Sequence, residues 1–541
     1  MTWKYMSVDR LKEFFKRPNT IAFFAGVILT LAFAPIHFFL AVPIAFSIFY
    51  FLLERETQKQ SKTFWQREVF LLGFFFGLGH FVSGIYWICI SLLIDVKQFG
   101  WLVPFALTII PAILAAYFAA VALFYKYFVK RFGFNLYYEK ILLFAVLFVF
   151  GEIARSNFLS GFSWNLLGYT WMFDLHFAQL GSVFGTYGLS FFAVLVGLMP
   201  IIFWKRKPVF SDKIFAAFVV FFLIANFVFG IFYIDNKKLT ILPDTVIRLV
   251  QANVKQEIKW VNSQKRENLL KHIYMSNAKN FDKVKVVIWS ETSVPYVVNN
   301  DEALLEYLRQ AVPDNGILIT GGLRMEAPET QTQKFPQVWN SVFVLGKSGV
   351  TQSYDKHHLV PFGEFVPFYH FLSFMYLDEA IDSITGGGQG FAQGDGAKTL
   401  LTENFSFSPL ICYEVIFSSE VANRKKLPEL FINLTNDAWF GNSSGPYQHF
   451  DMARMRAIEY GIPLIRVAGS GISALVDPFG RVIAKIPLNQ EGVMDVDLIK
   501  NNETSLYAIY GYVPLSILLF ITLLILIVSP RRHAHKKNHS H

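Results

Sequence analysis

Eight apolar stretches, most of them long enough to cross a lipid bilayer, leave this chain few folds to choose from. They lie at residues 19–36, 38–53, 69–94, 101–128, 139–154, 183–204, 214–234 and 508–528. A spanning helix needs about 20 apolar residues, in a range of roughly 17–25. The runs at 38–53 and 139–154 are the short or weakly bounded ones. In hydrocarbon every backbone polar group must find its partner internally, so such runs are expected to be helices. Composition agrees: 53% of residues are hydrophobic and 16% charged, against about 25% charged in soluble chains. The first run holds the small-residue pattern Ala32-Phe33-Ala34, but Pro35 follows and the next run begins almost at once. It therefore reads as a retained span, not a cleaved leader.

Basic residues set the expected topology. Lys4, Arg10, Lys12, Lys16 and Arg17 precede the first run, and Arg55, Lys59, Lys62 and Arg67 separate the second from the third. Lys126, Lys130, Arg131 and Lys140 lie between the fourth and fifth, Lys205, Arg206, Lys207 and Lys213 between the sixth and seventh, and Arg531, Arg532, Lys536 and Lys537 after the last. The alternate loops carry little more than Lys97 and Arg155. Cytoplasmic loops hold the excess of Lys and Arg, so both termini are expected in the cytoplasm and the long segment after the seventh run on the opposite side. The net charge of +9 does not point to nucleic acid, because the basic residues form short clusters between apolar runs and no continuous stripe. Two cysteines, Cys89 and Cys412, are expected as free thiols.

Three parts follow: a seven-span domain at 1–235, a domain outside the membrane at 236–507, and a last span with a tail at 508–541. The middle part carries short β-rich runs, VIRLVQANV, VKVVIWSE, GILITGGL, NSVFVLG, SPLICYE, LFINLTN, PLIRVAG and ISALVDPFG, with helical stretches at 263–280 and 302–312 between them. In PYQHFDMARMRAIEYG, Phe450, Met452, Met455 and Ile458 recur at helical spacing. Alternating strands and helices predict an α/β sheet domain. The tail HAHKKNHSH reads as solvated.

Three strand ends in that domain hold reactive groups: Glu291 in VVIWSETSVPY, Lys356 and Glu364 in SYDKHHLVPFGEFVPF, and Cys412, Tyr413 and Glu414 in LICYEVIF. A thiol near its ordinary pKa of about 8.5 is mostly protonated at neutral pH. A carboxylate can take its proton, and a lysine can hold charge developing on a carbonyl oxygen. A strand cysteine is also a common packing residue, and strand-end charges commonly sit on a solvated rim. Neighbours on an extended stretch point to opposite sides, so at most one of His357 and His358 is expected to face the thiol. Spacing alone leaves packing and catalysis both open.

WSET, YDKHHLVPFGEFVPF and ICYE, in that order, resemble the Glu–Lys–Cys triad of the nitrilase, or carbon–nitrogen hydrolase, superfamily, as does the run from NLTNDAWFG through QHFDMARMRA to VDPFGRV. Together with eight spans, the chain resembles the membrane-embedded apolipoprotein N-acyltransferase family. The resemblance implies a nitrilase-like α-β-β-α sandwich outside the membrane of a bacterial cell, with Glu291 as proton acceptor, Lys356 as oxyanion stabiliser, Cys412 as nucleophile and Glu364 in support. It implies substrate-side roles for Trp260, Tyr413 and Glu414, and a weaker one for Asn340. The implied reaction moves an acyl chain from a phospholipid, phosphatidylethanolamine by resemblance, to the N-terminal diacylglyceryl-cysteine of an apolipoprotein, through a cysteine thioester and without metal or other cofactor. The alternative is a membrane-anchored amidase that shares the triad and uses water. Trp164 reads as an aromatic-belt residue. The apolar stretch at 365–391 fits acyl-chain contact, Gly386, Gly387, Gly388 and Gly390 a lid hinge, and Trp439-Phe440-Gly441 a second arm. Glu152 and His80 are the only candidates for a transport route, and neither makes a pathway alone.

Overall fold

The computed structural model describes residues 15–58, 65–204, 208–235, 237, 239–299, 301–327, 336–367, 390–501 and 503–529. The hinge expected at 386–388, most of the apolar stretch before it, the His-rich tail and many of the loop lysines and arginines lie outside the described residues. Helices form within each apolar run: α1 (Pro18–Leu29), α2 (Ala41–Gln58), α3 (Trp65–Gly84), α4 (Val103–Phe132), α5 (Tyr137–Asn157), α6 (Gly181–Leu198) and α7 (Phe210–Asp235), with one more at the C-terminal end. Among the described residues, three helical segments, Val96–Phe132, Gly181–Trp204 and Phe210–Asp235, are long and apolar enough to cross a membrane, and Pro18–Ala32 is a shorter apolar helix.

Two runs are interrupted. The run at 69–94 is not one helix: α3 stops at Gly84, whose carbonyl accepts from Asn165 Nδ2 at 3.2 Å, and a short helical segment Ile88–Leu93 follows. The run at 183–204 is broken at Gly185, with φ 67° and ψ −179°. The Tyr507 ring packs where a Cβ there would sit, 2.6 Å away, so the position requires glycine on both counts.

The chain then enters two six-stranded sheets. The first holds β1 (Thr240–Gln251), β2 (Val284–Trp289), β3 (Ile317–Glu326), β4 (Gln337–Gly346) and β5 (Gly349–Asp355). The second holds β6 (Leu400–Leu401), β7 (Ser406–Ile411), β8 (Leu430–Thr435), β9 (Leu464–Ala468), β10 (Ser473–Val476) and β11 (Val482–Ile486). The last strand, β12 (Gly492–Lys500), returns to pair antiparallel with β1, giving the orders β12-β1-β2-β3-β4-β5 and β11-β10-β9-β8-β7-β6. The pairs β1–β2, β2–β3, β7–β8 and β8–β9 are parallel.

Side-chain alternation sorts the faces. Ile247, Leu249, Ile288, Ile319 and Val342 of the first sheet pack against Phe407, Ile411, Ile432, Ile465 and Val467 of the second. The opposite face of the first sheet, with Val250, Val287, Trp289 and Leu318, is covered by Leu269 and Ile273 of α8 (Asn262–Ser276) and Leu304 and Leu308 of α9 (Glu302–Arg309). The opposite face of the second sheet, with Leu410, Phe431 and Leu464, is covered by α10 (Gly445–Tyr460).

Helix α10 has the sheet on one side and the apolar helices on the other, which is why nearly all of it is buried. Arg456 donates to Thr186 Oγ1 at 2.8 Å, and Glu459 accepts from the Thr186 amide at 2.7 Å and from Ser418 at 2.7 Å. Further ties run from Asp451 to His37 at 3.3 Å and from Tyr233 to Phe479 by ring contact. The last helix, α11 (Val513–Val528), returns along α5 and α6. The ends of the helices away from the sheets hold the basic residues: Lys140 and Lys126 pair with Glu54 at 3.1 and 3.8 Å, and the Lys130 ammonium lies 3.9 Å from the Trp65 ring. Tyr138 bonds Ser529 at 2.7 Å at that same end.

Candidate active site

Strand β2 ends at Trp289, and the chain turns sharply through Ser290, Glu291 and Thr292 against Gly321 of β3. A Cβ on Gly321 would sit 2.5 Å from the Thr292 nitrogen, so the turn depends on that glycine. Asn340 faces it from β4, and the Lys356 amide donates to the Asn340 carbonyl at 2.9 Å just past β5. Glu364 lies in the turn after Val360, where the Val360 amide donates to its Oε2 at 2.8 Å.

These four side chains share one network. Asn340 Nδ2 donates to Glu291 Oε1 at 2.8 Å and to Glu364 Oε1 at 3.1 Å. Lys356 Nζ lies 2.8 Å from Glu364 Oε1 and 3.8 Å from Glu291 Oε1. Two carboxylates held this close would repel without the ammonium and the amide between them.

Cys412 enters from the other sheet. It is the first residue after β7, starts a short 3₁₀ turn, and has φ 50°. A non-glycine residue there costs about 1–3 kcal/mol and persists only where its surroundings enforce it. Burial, then the charge on Glu291, push its thiol up to about 12, while Lys356 and a hydrogen bond from Thr435 pull the other way. For Lys356 burial alone would lower the value, but the charges of Glu364, Glu291 and a Cys412 thiolate outweigh it, and the ammonium is held on. Both shifts favour a protonated thiol beside a lysinium. The thiol can form a thiolate only if its proton has somewhere to go.

The other expected contacts fall into two groups. Trp260 is 39% exposed on the rim, with the Lys265 ammonium 5.9 Å from its ring. Tyr413 and Glu414 lie behind the thiol. The Glu414 carboxylate accepts from the Ile411 amide at 2.7 Å, the His357 amide at 2.8 Å and the Tyr354 hydroxyl at 2.7 Å, so it ties the lysine segment to the nucleophile turn. The Tyr413 hydroxyl donates to the Gly161 carbonyl at 3.1 Å, in the loop after α5. His357 and His358 do not diverge as neighbours on a strand would. Both approach Glu420 Oε2, at 3.5 and 2.7 Å, because the chain at 356–360 is irregular. Trp164 is not a lipid-facing belt residue: it is buried, stacks on His449 at 5.3 Å and donates to Gln448 at 2.8 Å. Phe440 packs on Trp87 and Trp164, while Trp439 is exposed. Glu152 accepts from the Leu167 amide at 2.7 Å, and Arg155 donates to the carbonyls of Phe162 and Trp164 at 2.7 Å each; they hold the loop beneath the site.

Two features escape the sequence reading. Lys259, beside Trp260, is buried and donates to the Glu291 carbonyl at 3.1 Å and to Thr292 Oγ1 at 2.7 Å. Burial lowers it to about 8 despite Glu291 and Cys412. Behind Cys412, a buried set of Asp437, His449 and Arg466 reaches the Cys412 carbonyl, with His449 Nε2 at 3.2 Å. NDAWF and QHFDMARMRA mark two of these three positions in the sequence, though no role for them could be read there. Among the described residues, no group of three or more His, Cys, Asp and Glu side chains is placed to hold a metal ion.

The chain matches two protein families. Residues 246–505 match the Carbon-nitrogen hydrolase family, and residues 25–199 match the Apolipoprotein N-acyltransferase N-terminal domain. Among curated relatives, the Apolipoprotein N-acyltransferase of Rickettsia prowazekii is 35% identical over 88% of this chain and 90% of its own length. That of Bradyrhizobium diazoefficiens is 33% identical over 96% of this chain and 95% of its own.

Proposed function

Since the chain belongs to the apolipoprotein N-acyltransferases, a family of membrane-protein acyltransferases acting in lipoprotein N-acylation, we propose a two-step route through a thioester on Cys412. Glu291 takes the thiol proton, and the sulfur attacks the ester carbonyl of a phospholipid, phosphatidylethanolamine by resemblance to the family. Lys356 and a backbone amide of the nucleophile turn carry the oxyanion. The tetrahedral adduct collapses, the C–O bond breaks, and the proton passes from Glu291 to the departing lysophospholipid oxygen. In the second step the α-amine of a diacylglyceryl-cysteine attacks the thioester carbonyl. Glu291 accepts the amine proton and returns it to the leaving sulfur. Atoms and charge balance, and the ester supplies the free energy that the amide retains.

The observation that carries this reading is the buried cluster in which Asn340 and Lys356 hold Glu291 and Glu364 together, with the Cys412 thiol raised by burial and then by the Glu291 charge. Glu364 keeps the lysine in place, Asn340 bridges the two carboxylates, and Trp260 borders the entrance. The chain spans the bacterial cytoplasmic membrane eight times. Its sheet domain lies on the extracytoplasmic side and both termini in the cytoplasm, which the basic helix ends facing away from the sheets support.

Intact mass after incubation with phosphatidylethanolamine vesicles tests the route. The expected result is one fatty-acyl adduct, absent in Cys412→Ala and discharged by a diacylglyceryl-cysteine peptide with a free amine. Release of free fatty acid at the same rate with or without that peptide would make the enzyme a hydrolase instead.

A further inference from the structure

The backbone at Cys412 is held from a direction the route above does not use. A residue at φ 50° turns its carbonyl out of the β7–β8 ladder and into the 3₁₀ turn, whose i→i+3 pattern brings the Val415 amide to one lone pair and leaves the other for a second donor. His449 Nε2, from α10, lies 3.2 Å from that oxygen. A carbonyl oxygen only accepts, so Nε2 carries the hydrogen. The other ring nitrogen, Nδ1, lies 2.9 Å from Asp437 Oδ1, which accepts from it in the imidazolium form, and 3.1 Å from Arg466 Nη2, which donates to it in the neutral form. Asp437 is itself anchored by Thr435 Oγ1 at 3.0 Å and by Arg466 at 2.7 Å. All three side chains are fully or almost fully buried. One face of the ring stacks on Trp164, whose Nε1 donates to the preceding residue, Gln448. Gln448 accepts in addition from Trp87 Nε1 at 3.2 Å. Both tryptophans belong to the helical, membrane-side part of the chain.

A trans peptide unit is planar, with its N–H directed opposite to its C=O. Fixing the Cys412 carbonyl toward α10 therefore fixes the Tyr413 N–H toward the opposite side, that of the first sheet and Lys356. The 3₁₀ turn beginning at Cys412 leaves its first amides without a partner inside the turn. We propose that His449 is a positioning residue: backed by Asp437 and Arg466 and stacked on Trp164, it clamps the Cys412 carbonyl and so aims the Tyr413 amide at the oxyanion formed on the acyl carbonyl. The tryptophans of the membrane-side part thereby set the geometry of the nucleophile and do more than anchor the domain. The inference rests on the acyl-enzyme reading above.

Two reactions of the same sulfur separate this role from a merely structural one. Acylation by phospholipid passes through a tetrahedral oxyanion, whereas alkylation by iodoacetamide is a direct displacement without one. Full-length enzyme in detergent is assayed both ways as wild type, His449→Gln, His449→Phe and His449→Met. Gln places an N–H donor near the Nε2 position; Phe keeps the stack on Trp164 without a donor; Met has the length of Gln and neither feature. Loss of one oxyanion donor costs on the order of 100-fold or more in rate. The expected result is acylation reduced about 100-fold in the Phe and Met variants and less than 10-fold in Gln, with alkylation within about 3-fold of wild type in all. Acylation and alkylation falling together in every variant overturns the proposal in favour of simple packing, as does a Phe or Met variant that acylates at the wild-type rate. Wild-type enzyme that alkylates at Cys412 but forms no acyl adduct overturns the thioester reading itself, and this inference with it.

Discussion

Around Cys412, single side chains set charge and position for one another. Glu420 is the clearest case: it takes His357 at 3.5 Å and His358 at 2.7 Å, and His358 also stacks on Phe417 and reaches the Ser160 carbonyl at 3.0 Å. Burial alone would lower His357, but its bonds to Glu414 and Glu420 raise it to about 9. Burial would raise Glu420, and the two histidines lower it to about 2. An ordinary histidine titrates near 6.5. A folded value above the unfolded one means that the paired imidazolium stabilises the fold fully below pH ~6.5 and ceases to do so as pH rises through about 9. The depressed carboxylate contributes above its unfolded value of about 4.3 and is lost as pH falls through about 2. In detergent, the apparent melting temperature is expected to fall by roughly 5 °C more between pH 6.5 and 9.5 in wild type than in His357→Gln. Parallel curves for the two proteins would remove His357 from that window.

Among the helices, contact is governed by small residues that let backbones meet. A Cβ on Gly79 of α3 would stand 1.9 Å from the Phe23 carbonyl oxygen of α1, and one on Gly26 of α1 would stand 1.9 Å from that of Phe76 on α3. Gly73 and Gly77, on another side of α3, bring the Cα atoms of Ala119 and Ala115 of α4 within 2.8 and 2.9 Å of where a Cβ would stand. Without a hydrophobic drive between helices in lipid, such close packing is what holds them. Gly79→Leu is expected to separate α1 from α3 and destabilise by about 1–3 kcal/mol, read as a drop in apparent melting temperature. Phe221→Leu on α7, where the ring is 68% exposed, should leave that temperature unchanged. An equal shift in both variants would mean that the glycine contact carries no special weight.

For the molecule as a whole, two sheets with their cover of helices sit on the ends of apolar helices opposite the lysines and arginines. α10 joins the two parts, with the Arg456–Thr186–Glu459 bonds on one flank and Trp164 and Trp87 on Gln448 and His449 at the other end. The outward faces of α4, α7 and α11 are apolar and exposed, as with Phe105, Phe221 and Phe520, which suits lipid and not water. Sidedness can be read with a membrane-impermeant thiol reagent in bacterial spheroplasts. Ser348→Cys, on the exposed turn between β4 and β5, is expected to label in intact spheroplasts, and Lys537→Cys in the tail only after lysis. The reverse pattern would invert the topology and put the site on the wrong face for an extracytoplasmic acceptor.

Local sequence was enough to locate the apolar helices, eight of the twelve strands and the helix QHFDMARMRA, because hydrophobic period and length depend only on neighbours along the chain. It missed β5, β6, β11 and β12: β6 is only two residues long, and runs such as VTQSYD are polar enough to read as loop until a partner strand satisfies their backbone. Among the candidate site residues, Glu291, Lys356, Glu364 and Cys412 could be picked out as candidates in advance, since each ends or follows a strand in a recognisable pattern. That Asn340 bridges two carboxylates, that Glu414 pins the lysine segment and that Trp164 stacks on His449 across 285 positions was settled only by folding. Burial and hydrogen bonding between segments distant in the chain are set by how sheets and helices pack, and no local pattern encodes them.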